Sequence, residues 1–214
     1  FRFMPEAGAR VAALEAGEIH VNEYILAPAA QRLKNNRNIK VVEMMPWAFQ
    51  TLMMNNVVPP TDNVMVRRAI QAALDMEEIM EAATDGAYKL NIGFQYPGQT
   101  YYSDAGKETY NQKNPTKAKQ LLAQSGYKGE KVILLTNREY PNMFTAATMM
   151  AEQMKSIGIN AELLILDWPA TVNMYRSRDD GWHLFFTGWG TNSSLGGIAA
   201  SVVGPSTPEF HDRL

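Results

Sequence analysis

The stretch from Lys131 to Leu195 constrains the chain most, because its apolar period switches between strand and helix in a fixed order. Lys131-Val132-Ile133-Leu134-Leu135-Thr136 is an apolar, β-branched run bounded by Asn137 and Pro141, which reads as a buried strand. Pro141 suits a first helical turn, and Met143, Ala147, Met150, Met154 and Ile157 then recur at helical spacing on one face. Gly158 falls where a left-handed C-cap belongs, and Ile159 to Leu166 follows as a second strand. Asp167 is placed to cap a short helix carrying Trp168, Val172 and Tyr175, before a third strand at His183 to Thr187. The order β-α-β-α-β demands parallel strands with right-handed crossovers. Ligands bind such sheets at the carboxyl ends of the strands. Those ends predict three site loops: Asn137 to Asn142, Asp167 to Pro169, and Gly188 to Gly197.

Composition narrows the partners. With 214 residues the chain can bury a sizeable core in one domain or two. A formal charge of −2 without any Lys/Arg block argues against nucleic acid, whose phosphates need clustered cations. No apolar run approaches the ~18 residues of a membrane span, and the absence of cysteine excludes disulfides and thiolate metal sites.

Before this stretch the signals are shorter. Phe1 to Met4 alternates like a strand, Pro5 to Ala16 reads as a helix closed by Gly17, and Glu18 to Asn22 alternates as a second strand. Pro28 to Asn38 is a polar helix or loop ending in a turn cluster, ahead of an extended run from Ile39 to Glu43. Phe49 to Asn55 reads as a strand ended by Pro59-Pro60. Asp62 opens a helix with Met65 or Val66, then Ala69, Ile70, Ala73 and Leu74 inward, and Asp75 with Glu78 resembles a capping box for Met76 to Ala83. Gly86 to Asn111 is an aperiodic excursion rich in Tyr, Gly and Pro, and Asn114-Pro115 starts a helix that Gly126 ends. The first segment is too short for a core of its own and reads as part of something longer.

Catalytic and cofactor signatures are weak. Gly188-Trp189-Gly190-Thr191-Asn192-Ser193 approaches a dinucleotide loop but ends in Ser, and Pro205 and Pro208 oppose the strand that would have to precede Glu209. His20, His183 and His211 stand alone, without a second ligand at helical spacing. No G-x-S-x-G elbow occurs, and Asp179-Asp180 beside Arg176 and Arg178 reads as a solvated turn. Most of the thirteen methionines fall on helical core stripes. No cofactor and no metal site is expected, and the chain is expected not to be an enzyme.

Several motifs in order resemble one family. Arg10-Val11-Ala12-Ala13-Leu14-Glu15-Ala16-Gly17-Glu18 is similar to the "R-x-x-x-L-x-x-G-E" of the extracytoplasmic solute-binding proteins of ABC importers, family 5, the dipeptide, oligopeptide and nickel binders. Asn55, Pro59-Pro60, Asp62, Val66-Arg67-Arg68-Ala69-Ile70 and Ala73-Leu74-Asp75 follow its next pattern. Asn114 to Tyr127 resembles its "D-P-x-K-A-K-x-L-L-x-x-A-G-Y", and Gly158-Ile159, Asp167-Trp168 and Gly188-Trp189 also match. The resemblance implies an α/β fold: a periplasmic-binding-protein-like lobe (class II, cluster C type) with a β-α-β-α-β parallel core and a partial first-lobe segment. It implies residues 1–42 in the first lobe, 43–50 crossing the hinge and 51–214 forming most of the second lobe. It further implies a periplasmic or otherwise extracytoplasmic protein of the cell envelope that captures a small-molecule solute between two lobes and delivers it to ABC permease subunits.

Within that resemblance the ligand-binding candidates are Trp47, Arg138, Tyr140, Gly188, Trp189, Gly190 and Asn192. Arg138 stands where some members hold a ligand carboxylate, a task that suits the guanidinium fork. Trp189 and Trp47 are candidates to stack on the ligand. Peptide-binding members carry an Asp three residues after the Trp of the Gly-Trp pair, to hold the peptide's ammonium. Asn192 brings no charge to that position, which moves the expected solute from a free-amino peptide toward a sugar or an amino-acid conjugate. An α/β enzyme using the same loops, or a sensor or chaperone on the same fold, are the alternative readings.

Overall fold

The computed structural model describes residues 2–23, 25–42, 48–177 and 181–190. Its elements run α1 (Ala7–Glu15), α2 (Ala27–Leu33), β1 (Ala48–Met54), α3 (Val64–Ala73), α4 (Met76–Thr84), α5 (Pro115–Ser125), β2 (Lys131–Thr136), α6 (Pro141–Ser156), β3 (Asn160–Ile165), α7 (Trp168–Ser177) and β4 (Leu184–Gly190). The sheet order is β1-β4-β2-β3, with β2 parallel to both β3 and β4 and β1 antiparallel to β4. The β-α-β-α-β core is therefore present as the apolar periods predict.

Strand alternation assigns the two faces. Val132, Leu134, Ala161, Leu184 and Phe186 pack against Met143, Ala147, Met150 and Met154 of α6, with α3, α4 and α5 gathered around it. Leu135 and Phe185 face the other way, onto Trp168, Met174 and Tyr175 of α7 and onto Trp182. The methionine stripe of α6 is thus core: Met150 and Met154 are fully buried, each stabilising the fold by roughly 1.5–3 kcal/mol through apolar burial. Gly158 ends this unit at φ 99°, a conformation that L side chains resist.

Several expectations are corrected. Residues 2–4, Glu18 to Asn22 and 39–42 are not strands. Their alternation is real, but among the described residues no strand lies beside them to complete a ladder, and Phe3, Val21 and Val42 are 92%, 82% and 66% exposed. The cap of α3 is Asn63, whose Oδ1 accepts from Met65 N at 2.8 Å, and not Asp62, whose N–H is drawn to Val58 O. Asp75 caps α4 through Glu77 N and Glu78 N as expected, but Glu78 accepts from Gln153 of α6 instead of reaching back. Most consequential, Gly188-Trp189-Gly190 is strand and not loop, because β1 supplies the ladder partner that extends β4: Gly188 lies opposite Gln50, Trp189 opposite Phe49 and Gly190 opposite Ala48.

The excursion after α4 is irregular apart from a 3-10 turn at Lys107–Thr109. It returns to the sheet at β1, where Phe94 packs on Phe49 at 5.4 Å and Tyr96 donates its hydroxyl to Ala48 O at 3.3 Å.

Candidate functional site

One end of the sheet collects the candidates. The parallel strands β2, β3 and β4 all finish there, α6 and α7 both begin there, and β1, running the other way, starts there at Ala48. Helix N-termini at that end add exposed N–H groups and partial positive charge. That of α7 is already satisfied by two side chains from different loops: Asp167 Oδ1 accepts from Ala170 N at 2.8 Å, and Glu139 Oε1 accepts from Trp168 N at 3.2 Å. Glu139 is thereby engaged with α7 across the loops.

Arg138 is exposed, with its guanidinium carbon 4.4 Å above the Phe144 ring. That cation–π seat holds it beside the first turn of α6. Tyr140 precedes Pro141, donates its backbone N–H to Asn137 Oδ1 at 3.0 Å, and meets Trp168 edge-on at 5.0 Å. From Trp168 the rings continue through Phe185 and Tyr175 to Trp189, at centroid separations of 6.5, 5.4 and 6.2 Å. Tyr140 and Trp189 are therefore the two ends of one aromatic wall. The Trp189 ring is half-buried, and its Nε1 is buried without a hydrogen-bond acceptor among the described residues. Gly188 and Gly190 flank it and are exposed. The structure thus brings Arg138, Tyr140, Gly188, Trp189 and Gly190 to one sheet end; Trp47 and Asn192 lie outside the described residues.

Other polar residues converge there unannounced by sequence motifs. Gln50, Thr136 and Asn137 lie at the same end, Thr136 and Asn137 fully buried. Gln50 carried a readable signal, being the polar member of an alternating set, Gln50-Leu52-Met54, whose other members face the core. Tyr96, which closes over the start of β1, has its hydroxyl pKa raised by burial. His183 is structural: its Nδ1 accepts from Ile133 N at 3.0 Å and its Nε2 donates to Pro59 O at 2.9 Å, fixing the neutral tautomer. Burial lowers its pKa, the Pro59 carbonyl opposing that shift. Among the described residues no cluster of three His, Asp or Glu is placed to hold a metal, and no helix is long and apolar enough to cross a membrane. A groove of about 280 Å³ between α1 and α2 receives no residue from any strand.

Known proteins share this arrangement. The chain is 28% identical over 193 residues to a probable peptide ABC transporter periplasmic-binding protein, y4tO, of Sinorhizobium fredii, covering 83% of this chain and 35% of that protein. The fold superposes on the oligopeptide-binding protein AppA from Bacillus subtilis, solved with a nonapeptide, at TM-score 0.74 and 27% identity over 89% of this chain and 40% of that one. It also superposes on the ABC transporter substrate-binding protein CtaP from Listeria monocytogenes at TM-score 0.85 and 22% identity, covering 98% of this chain and 43% of that one, a likeness of fold. The chain spans between 35% and 43% of these relatives' length. The family described as bacterial extracellular solute-binding proteins, family 5, middle region, matches residues 1–197. With the parallel core, the antiparallel first strand and nearly the whole chain matched, this protein belongs to the family 5 bacterial extracellular solute-binding proteins.

Proposed function

We propose that this chain forms one wall of the solute site in the binding component of an ABC importer, which captures a peptide-like or other small polar solute between two lobes and hands it to permease subunits at the cell envelope. The observation that carries this reading is the sheet end itself: Arg138 on Phe144, the Tyr140-to-Trp189 aromatic wall and two exposed glycines stand together, with polar atoms beside them. Aromatic faces with a few placed polar groups suit binding without chemistry. On this reading residues 1–42 belong to the first lobe, 43–50 cross between lobes and 51–214 build most of the second. A solute touching both lobes favours the closed state by its differential affinity, and the permease reads that state.

Asn192, in the position where peptide binders carry an Asp, favours a solute without a free ammonium there. Native mass spectrometry of the full-length protein, purified from its host and activated gently, tests the proposal. A small adduct of defined mass lost on activation is the expected result. No adduct, followed by no thermal shift with peptides, sugars or amino-acid conjugates, would refute solute capture.

A further inference from the structure

Three polar side chains lie on or beside one sheet face where an apolar core would be the ordinary content. Gln50 shares that face with Leu52 and Met54, which pack on the α6 core, and sits opposite Gly188. Thr136, last residue of β2, continues the alternation of Val132 and Leu134 onto the same face, is 0% exposed, and its Oγ1 has no hydrogen-bond partner among the described residues. Gln50 Oε1 is likewise buried and unpartnered. Asn137, also 0% exposed, spends its Oδ1 on Tyr140 N, while among the described residues its Nδ2 meets only the thioether of Met143, a weak acceptor, at 3.9 Å. Leaving such groups buried and unpaired costs about 1–3 kcal/mol each, which a core composed for stability alone avoids.

Met143 reaches from Asn137 to Gly188, beside Gln50. Its Cε lies 3.8 Å from where a Cβ on Gly188 would be, and Gln50 Cγ lies at the same 3.8 Å, while its sulfur rests on Asn137. Gly188 is exposed. The absent side chain at Gly188 leaves room for about one methyl group, in contact with Phe49 O at 3.7 Å, Gln50 Cγ and Met143 Cε, so a larger group enters only where the flexible thioether moves. We propose that Gln50, Thr136 and Asn137 form a polar subsite beneath Gly188, stoppered by the Met143 side chain, which takes a carboxamide from the bound solute when Met143 turns aside. This rests on the reading of the sheet end as the solute site. The chemistry fits an amide: Gln50 Oε1 accepts its N–H, Asn137 Nδ2 donates to its carbonyl, and the Thr136 hydroxyl serves either role. A charged group would enter unpaired, since Arg138 is exposed on Phe144 and Glu139 is exposed and held by α7.

The test uses the full-length protein freed of endogenous solute, with N-acetylated alanine tripeptides carrying glutamine, glutamate or norleucine at each position in turn, read by calorimetry. At one position glutamine should bind about tenfold tighter than both analogues, because a site built to hydrogen-bond rejects a ligand that leaves its groups unpaired. In the double variant Gln50→Leu, Thr136→Val that ratio should fall to near unity. The ligand-free double variant should melt no lower than the parent, since the changes remove unpartnered polar atoms. A retained preference, or a marked drop in melting temperature, would overturn the subsite. If no tripeptide binds, peptide capture fails as a function, and the subsite is judged separately by NMR of ¹³C-methyl methionine. The Met143 methyl signal should then shift as acetamide is added to the parent protein, and the absence of a shift would overturn the proposal.

Discussion

Replacing His183 with Phe should remove a clamp and a pH dependence together. His183 accepts from Ile133 N at 3.0 Å and donates to Pro59 O at 2.9 Å, while its own backbone joins β2 through Ile133 O and the end of β1 through Asn55 N. Phenylalanine fills the volume but leaves the Ile133 N–H unpaired, a loss of about 1–3 kcal/mol, and the exposed Pro59 carbonyl to water at a smaller cost. The sum is about 2–3 kcal/mol of unfolding free energy, read as a lower urea midpoint at unchanged slope. The pH arm follows from the lowered pKa. Between the folded-state value and the ordinary 6.5, the unfolded chain binds more protons than the native one, so stability rises with pH. The histidine's contribution is complete above 6.5 and drains away as pH falls through 6.5 toward the folded-state pKa, because a proton on Nδ1 would face the Ile133 N–H. The penalty of His183→Phe should therefore be largest near pH ~8 and shrink toward pH ~5. A penalty that stays constant across that range would refute the neutral-acceptor assignment.

Arg138→Ala should cost the fold only about 0.5–1 kcal/mol, the worth of an exposed cation–π contact, yet weaken an acidic solute by about 1.5–3 kcal/mol in calorimetry if the guanidinium receives its carboxylate. Equal affinities would remove Arg138 from the site. Met154→Ala should lower the denaturant midpoint by an amount equivalent to about 2–5 kcal/mol, because Met154 is fully buried in the α6 core; a loss under about 1 kcal/mol would mean that the site collapses freely. Gly158→Ala should destabilise by about 1–2 kcal/mol, a conformational cost, since the new methyl would approach Leu122 Cδ2 no closer than 4.0 Å at φ 99°. A neutral effect in thermal melts would show that the turn relaxes.

The β-α-β-α-β core was legible because each of its signals is local. The Met143-to-Ile157 stripe, the Gly158 stop and the Asp167 cap are decided by neighbours within a turn or two, and the structure places all of them as read. The segments at 2–4, 18–22 and 39–42 misled for the complementary reason: alternation states which residues would face a core, while a strand exists only beside a partner. The same limit hid the site's true form. Whether Gly188 to Gly190 is loop or strand depends on β1, more than 130 residues earlier by the register of Gln50 with Gly188, and no window around the Gly-Trp pair contains that fact. Once β1 is in place, its alternation sets Gln50 beside Gly188 on the α6 face and Phe49 beside Trp189 on the α7 face, so one long-range ladder orders both faces of this sheet end. The hydrogen bonds that hold this ladder's far end run from Asn55 N to His183 O and from Asn55 Nδ2 to Trp182 O. A loosened His183 should therefore be felt at Gly188 as a change of register before it is felt as a loss of any contact to solute.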